Sequence, residues 1–556
     1  MNSQYTILGT YRDPRSSNAS VCVDVRSSEH DEIRFALTMA ELDSDRDLRT
    51  KLLNSGYSLP DDKTAKVNFY REFREEVKRS PAIEINLNTG WDKAKKRFVG
   101  VDRTFGPNAH HVMHVSSIAS AVNPPKIRMS AVKAWKSEVG KITDHSFLAI
   151  FAISIPFTGP IIGRGKASVE IPIFNFFGGS STGKSFLLKV ATTVFGNDDP
   201  DGSLVNWEFT GAGMEETLGE RNHLFLAVDE EGLNADEIVK ARRTMSMKWT
   251  GGRSKTRSKR YEGKRFCAFR VPVALSGNTT SDQLEATQED RPLAVRWLDI
   301  PASATEAGDV FAEAFTLKKS VEDRSKLLKN VLAVTLDHQR HVGLQYLKHI
   351  ARPASGAAFI SHQEKAFRKF MAKHAIGVGR QQVRILEKFA LVYSVAATLP
   401  SVGLVPWSRK RGEAAVEAIF ARYKKKNPKG FRDEYEILIH LTHLIGNKEL
   451  FPRIKLVDDI DEFNGIGMNV LSGDKKLACI SRKSPSVQKQ LFSHLKITLN
   501  ELESLLRRHG LLFLNPQGKA TLSRTLNGSG SKRHRFLPID FEKLQSWLKN
   551  SKPRAQ

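Results

Sequence analysis

The pattern of apolar and polar positions changes character along the chain. SVCVDVRS, from Ser20, alternates apolar and polar residues as a half-buried strand does, and KVNFYREFREEVKRS, from Lys66, carries a helical apolar stripe. AIEINLNTGW and KRFVGVD read as further strands, so residues 1–122 are expected to form an N-terminal α+β domain in which the Trp91 segment packs. The proline pair in AVNPPK marks a turn or linker. The longest apolar stretch, SFLAIFAISIPFTGPIIG from Ser146, is broken by Pro156, Gly159 and Pro160. It falls short of the ~20 residues that span a bilayer, and is read as buried helix and turn.

From 123 to 310, apolar strand-like runs alternate with helices, the pattern of a mainly parallel sheet covered on both faces. Residues 311–405 are almost wholly helix-forming and suit a helical lid. The region 406–556 is strongly basic. Near its end, ITLNELESLLRRHGLLFLNPQG and SKRHRFLPI run helix, turn, strand, returning strand, the order of a winged helix. No internal repeat or low-complexity tract stands out. The chain is 556 residues long, enough for about three or four folding units.

One motif carries explicit chemistry. After the apolar run IPIFNFF comes GGSSTGKS, Gly178 to Ser185, and then the helical FLLKVATTVFG. In a strand–loop–helix setting, GxxxxGK[ST] is a phosphate cradle for ATP. The backbone of Gly178, Gly179, Ser180, Ser181, Thr182 and Gly183 wraps the phosphates, Lys184 reaches the β- and γ-phosphates, and Ser185 helps hold Mg²⁺. A P-loop ATPase also needs a carboxylate for the metal and one to polarise water. HLFLAVDEE supplies Asp229 for the first task and Glu230 for the second. A third strand, FRVPVALSGNTT, ends in a polar tip where Asn278, with Ser276 in reserve, would sense the γ-phosphate.

Charge adds a partner. Lysine and arginine number 86 against 61 acidic residues, a net charge of +25 that suits a polyanion. The excess clusters in MSMKWTGGRSKTRSKRYEGKRFCAFR, where Arg253, Lys255, Arg257, Lys259 and Arg260 point to phosphate contact with DNA. Three scattered cysteines, without a CxxC pair, indicate neither a zinc site nor a disulfide framework. The polar start of the chain lacks the features of a secretory signal, and a cytoplasmic protein without membrane contact is expected.

The ordered motifs TGWDKAKKRFVGVDRTFG, FFGGSSTGKSFLLKVATTVFG, NWEFTGAGMEE, FLAVDEE, ALSGN and VRWLDIP resemble the domain-of-unknown-function 927 (DUF927) family over roughly Tyr5 to Leu399. That family includes the helicase-like ATPases of staphylococcal cassette chromosomes and related mobile elements. The resemblance implies an α/β fold, the P-loop AAA+ three-layer sandwich, related to MCM and superfamily 3 helicases and assembled as a homo-oligomer, a hexameric ring. It implies an arginine finger from the neighbouring subunit, Arg296 or secondarily Arg291, and a lid-helix arginine at the γ-phosphate, Arg384 or alternatively Arg380. In MCM and superfamily 3 ATPases a DNA-gripping hairpin occupies the place of the basic segment. This sequence has Ser185 where threonine is commoner, and ALSGN where a serine-threonine-glycine-glutamate run is frequent.

Two functions are expected. The first is an ATP-hydrolysing helicase or translocase, acting on single-stranded or forked DNA to start replication of a mobile element. The second is an ATP-switched nucleic-acid-binding module that does not unwind.

Overall fold

The computed structural model describes residues 4–13, 18–26, 33–119, 126–165, 169–179, 182–196, 204–206, 211–229, 249, 252, 269–277, 296–302, 321–375, 380–427, 434–454, 467–472, 474–482, 495, 499–525 and 533–550. The chain divides into two compact units, residues 1–375 with 383–423, and residues 376–382 with 424–556.

The first unit begins with an antiparallel sheet of β1 (Gln4–Arg12), β2 (Ala19–Arg26) and β3 (Ile33–Thr38). Val21, Val23 and Val25 of β2 bury one face against α2 (Asp45–Asn54) and α3 (Lys63–Arg79), which come after the short α1 (Met39–Asp43). Each helix starts where its sequence offers a cap: Thr38 and Glu41 make a reciprocal capping box, Ser44 caps α2 and Asp62 caps α3. Next come five short strands: β4 (Glu84–Asn86), β5 (Gly90–Trp91), β6 (Phe98–Val99), β7 (Thr104–Phe105) and β8 (Val112–His114). They form the pair β4–β8 and the ribbon β5–β6–β7, and α4 (Ser116–Ala119) ends the region.

Residues 1–122, expected as a domain of their own, lie within this first unit. The NTGW segment is bonded to residues much later in the chain: Trp91 Nε1 donates to the Pro160 carbonyl at 2.6 Å, and Asn222 Nδ2 donates to the Thr89 carbonyl at 2.7 Å.

Helices α5 (Met129–Thr143), α6 (Phe147–Ser154) and α7 (Thr158–Arg164) lead into the central sheet. The last two are the interrupted apolar stretch, bent by 42° between them and buried. The central sheet comprises β9 (Ile173–Phe177), β10 (Val205–Asn206), β11 (Leu226–Asp229), β12 (Val273–Gly277) and β13 (Trp297–Pro301), in the order β10-β11-β12-β9-β13. Every neighbouring pair is parallel, so all five carboxyl ends share one edge. Both faces are covered, which explains the near-continuous apolar strands. Ile173, Val273 and Leu275 pack with Met214 and Leu218 of α9 (Gly211–Glu220), while Phe174 and Phe176 meet Phe151 of α6. The helix after β9, α8 (Lys184–Thr192), packs on β11 and β12.

A helical region completes the unit: α10 (Val321–Asp337), α11 (His341–Ile350), α12 (Pro353–His374), α13 (Arg380–Thr398) and α14 (Arg409–Lys426). Phe370, Phe389 and Phe420 stack α12, α13 and α14 together. The window Gln381–Val402 is long and apolar enough to cross a bilayer, but 78% of it is buried in this packing.

The second unit carries β14 (Arg453–Ile454), β15 (Gly467–Ser472), β16 (Lys475–Ser481), β17 (Leu522–Thr525) and β18 (Arg533–Asp540) as one sheet, ordered β14-β15-β16-β18-β17. Against it pack α15 (Glu434–Gly446), α16 (Leu499–Arg508) and α17 (Phe541–Asn550) through Leu438, Leu502, Leu506 and Leu544. The helix and the final strand read from the tail are present as α16 and β18, but LLFLNPQG makes only an isolated bridge, Leu512 to Ile539, and the strand beside β18 is β17, further along the chain.

Candidate functional site

The carboxyl edge of the central sheet gathers residues that are far apart in sequence. β9 ends at Phe177 and the chain turns through Gly178 and Gly179. Gly183 then adopts a left-handed conformation (φ +89°) as the residue before α8. A side chain there would be strained, so glycine is what lets the helix begin at once with Lys184. The first backbone N–H groups of α8 have no partner within the helix, and its positive dipole end faces the loop. An anion is favoured at such a place.

Lys184 folds over this loop. Its ammonium donates to the carbonyls of Gly178 at 2.9 Å and Gly179 at 2.7 Å. Burial lowers its pKa below the usual lysine range, and the Asp229 charge opposes that shift. The next residue, Ser185, reaches across the sheet. Its hydroxyl lies 3.2 Å from that of Ser276, and Ser276 donates to Asp229 Oδ1 at 2.6 Å. A hydroxyl has one proton, so Ser185 donates to Ser276 in turn. Strand register produces this chain: Asp229 at the end of β11 is the lateral partner of Ser276 on β12.

Hydroxyl and carboxylate oxygens are the donors Mg²⁺ accepts, usually only one or two from protein beside phosphates and water. Among the described residues there is no group of three His, Cys, Asp or Glu side chains fit to hold a metal. The hydroxyl and carboxylate of Ser185 and Asp229, beside the amino end of a helix, would suit a nucleotide-borne Mg²⁺, and Lys184 with the backbone at the start of α8 would suit its phosphates.

Arg296 and Arg384 are not at this edge. Arg296 immediately precedes β13, whose Trp297 is the partner of Ile173 at the start of β9. Both arginines converge on Glu170: Arg296 Nε is 3.8 Å from Oε1, and the Arg384 guanidinium is in direct contact with it. Lys388, fully buried on α13, lies 3.2 Å from the other oxygen of Glu170. Burial pushes the Lys388 pKa down to about 8, with Glu170 opposing. The length of β9 separates this cluster from the P-loop by roughly 15–20 Å at about 3.3 Å per residue.

Gly178, Gly179, Thr182, Gly183, Lys184, Ser185, Asp229 and Ser276 are thus brought together, and Arg296 and Arg384 are paired elsewhere. Ser180, Ser181, Glu230, Asn278, Arg291, Arg253, Lys255, Arg257, Lys259, Arg260 and the side chain of Arg380 lie outside the described residues. Sequence reasoning missed Glu170 and Lys388. A lone lysine inside the apolar run ILEKFALVYSVAA was the available signal for the second.

Residues 2–266 match a family described as a domain of unknown function (DUF927). Among solved structures, the chain is similar to the SCCmec type IV Cch protein, an active helicase, at 15% identity and a TM-score of 0.52, over 98% of this chain and 94% of that one. Two structures of the NrS-1 C-terminal region align over 75% of this chain and 91% and 92% of theirs. They share 9% and 10% identity, with TM-scores of 0.28 and 0.26. No curated protein matches the sequence.

Proposed function

We propose that the chain is an ATP-hydrolysing DNA helicase or translocase of the AAA+ class, acting in replication initiation of a mobile genetic element. The observation that carries this reading is the Ser185–Ser276–Asp229 chain beside Lys184, at the carboxyl edge of a parallel sheet. The position of β12 between β9 and β11 supports the AAA+ class, because that is where its sensor strand belongs. The similarity in fold to Cch, an active helicase, supports the type of work.

When bound, Mg²⁺–ATP supplies the β–γ bond that is cleaved and the charge that orders the site. The amides from Gly178 to Ser185 hold the phosphates, and Lys184 exchanges its loop carbonyls for phosphate oxygens. Ser185 and Asp229 would hold the metal, Asn278, with Ser276 in reserve, would sense the γ-phosphate, and Glu230 would take the proton of the attacking water. Arg296 and Arg384 are too far to serve this subunit's P-loop. In this reading they complete the site of a neighbouring copy in a ring. The basic residues 253–260 grip single-stranded or forked DNA through its backbone, and the helix and strands near the C-terminus form a winged-helix-like element. The functional division is 1–122, 123–310, 311–405 and 406–556.

ATPase and strand-displacement assays on a forked duplex, with wild type and Lys184→Ala, test the proposal. A loss of at least ~100-fold in hydrolysis is expected for the variant. Equal rates would overturn the catalytic assignment. DNA-stimulated hydrolysis without displacement would replace the helicase by the ATP-switched binding module.

A further inference from the structure

The far end of α8 borders a second site. Beyond Thr192 the chain turns through Phe195 and Gly196. Together with the β6–β7 ribbon, the end of α9 and α11, this turn encloses a cavity of about 160 Å³. Its wall includes Phe105, Phe195, Asp102, Glu220, Arg221 and Arg340. Phe105 also borders an adjoining cleft of about 370 Å³, whose charged members are Lys348 and Arg352.

Backbone conformation is unusual here. Arg340, the residue before α11, has φ +71°, a conformation costly for anything but glycine. A Cβ on Gly196 would come 1.9 Å from Arg340 Cγ, so glycine is required for the arginine to pass. The guanidinium then reaches Asp102 at 3.4 Å, while Arg221 donates to the Gly196 carbonyl at 2.9 Å.

Charge divides between the two spaces: in the cavity Asp102 and Glu220 offset Arg221 and Arg340, whereas the charged residues of the cleft are both basic. Arg103 has its pKa lowered by burial, with the Asp102 charge opposing that shift and Arg340 adding to it. His341 is lowered by burial, then by Arg128, His338, Arg103 and Arg340. The two cations of the cleft favour an anionic group there. Phenylalanine faces beside arginine donors and carboxylate acceptors suit a flat heterocycle with polar edges. The volume is well below the ~300 Å³ of a drug-sized pocket and suits one ring system.

We propose that this cavity takes one unstacked nucleobase, with its phosphate in the adjoining cleft on Lys348 and Arg352, so that the first compact unit holds a nucleotide unit separate from the loop after β9. The unit comes either from a single strand or from a free nucleotide. The nine residues of α8 span about 14 Å, with the loop after β9 at one end and this cavity beyond the other.

The test uses the full chain carrying Lys184→Ala without Mg²⁺, so that its result is independent of ATP hydrolysis. The probes are a fluorescein-labelled single-stranded 12-mer of mixed sequence, followed by anisotropy, and free GMP and AMP, followed by equilibrium dialysis. Two further variants alter exposed positions. Lys348→Glu with Arg352→Glu reverses the charge of the cleft, and Val101→Trp blocks the mouth of the cavity, where Val101 is 37% exposed. Both are expected to weaken binding about tenfold with unchanged melting temperature. A 5-iodouracil strand is expected to photocross-link to the peptide spanning Phe98 to Phe105. Binding of the 12-mer alone identifies a strand as the source, and binding of GMP or AMP identifies a free nucleotide. Unchanged affinity in both variants, with cross-links confined to other peptides such as 251–268, would overturn the site.

Discussion

Ser276 shows how a single hydroxyl can organise a site. It is buried, accepts from Ser185 and donates to Asp229, so it sets the distance between the two groups assigned to Mg²⁺. An apolar residue there would leave the Asp229 carboxylate free to rotate and Ser185 without its acceptor. Ser276→Ala is expected to lower Mg²⁺-dependent ATP turnover roughly tenfold, at a stability cost of about 1 kcal/mol. Steady-state kinetics and chemical denaturation on the same preparation check both. Unchanged turnover would reduce the hydroxyl to a packing role. Glu170 is organised differently: one carboxylate faces Arg296, Arg384 and Lys388, which ties the segment before β9 to β13 and α13.

At the scale of elements, the junction between the β5 ribbon and the central sheet depends on an uncharged imidazole. His223 Nδ1 accepts the backbone N–H of Trp91 at 3.1 Å, and Arg164 sits 4.7 Å above the Trp91 ring. Burial, then Arg270 and Lys95, push the His223 pKa down to about 3. The unfolded chain takes up this proton near pH 6.5 and the folded chain only near pH 3. Stability from this group is therefore complete above about pH 6.5 and falls as pH drops towards 3, by at most about 1.4 kcal/mol per unit. His223→Gln keeps a polar acceptor and removes the titration, so its urea midpoint should fall less between pH 6.5 and 4 than that of wild type. Parallel pH profiles would show that His223 titrates normally.

For the whole molecule, the placement of the arginines decides how many chains make one active site. With Arg296 and Arg384 at the edge of the sheet opposite the P-loop, hydrolysis in the proposed ring needs an interface between copies. Lys184→Ala and Arg296→Ala chains should each be nearly inactive, yet in an equimolar mixture one intact P-loop can meet one intact arginine. Random assembly makes about a quarter of the interfaces competent, and ATPase activity should return to a similar fraction of wild type. No recovery in mixtures shown to co-assemble would exclude the arrangement. In the proposed role the charge of +25 would act at the same scale, since a basic surface favours a polyanion and makes its binding sensitive to salt.

The amino-acid order by itself determined the features that are contiguous. The glycines, Lys184 and Ser185 occupy one short loop between a strand and a helix, so that strand–loop–helix order was legible without a fold. The helices α3, α10 and α13 and the bent pair α6 and α7 were legible from local periodicity and breakers for the same reason. Relations between distant segments were decided by tertiary structure. Insertion of β12 between β9 and β11 brings Ser276 within reach of both Ser185 and Asp229, and strand order is set by packing on two faces rather than by any local signal. Glu170 and Arg384 are 214 positions apart and meet because α13 closes over the start of β9 and β13. Trp91 meets His223 across 132 positions, within one compact unit. Local propensity acts over a few residues, whereas ion pairs, register and burial act through space, and only the folded chain specifies which residues share that space.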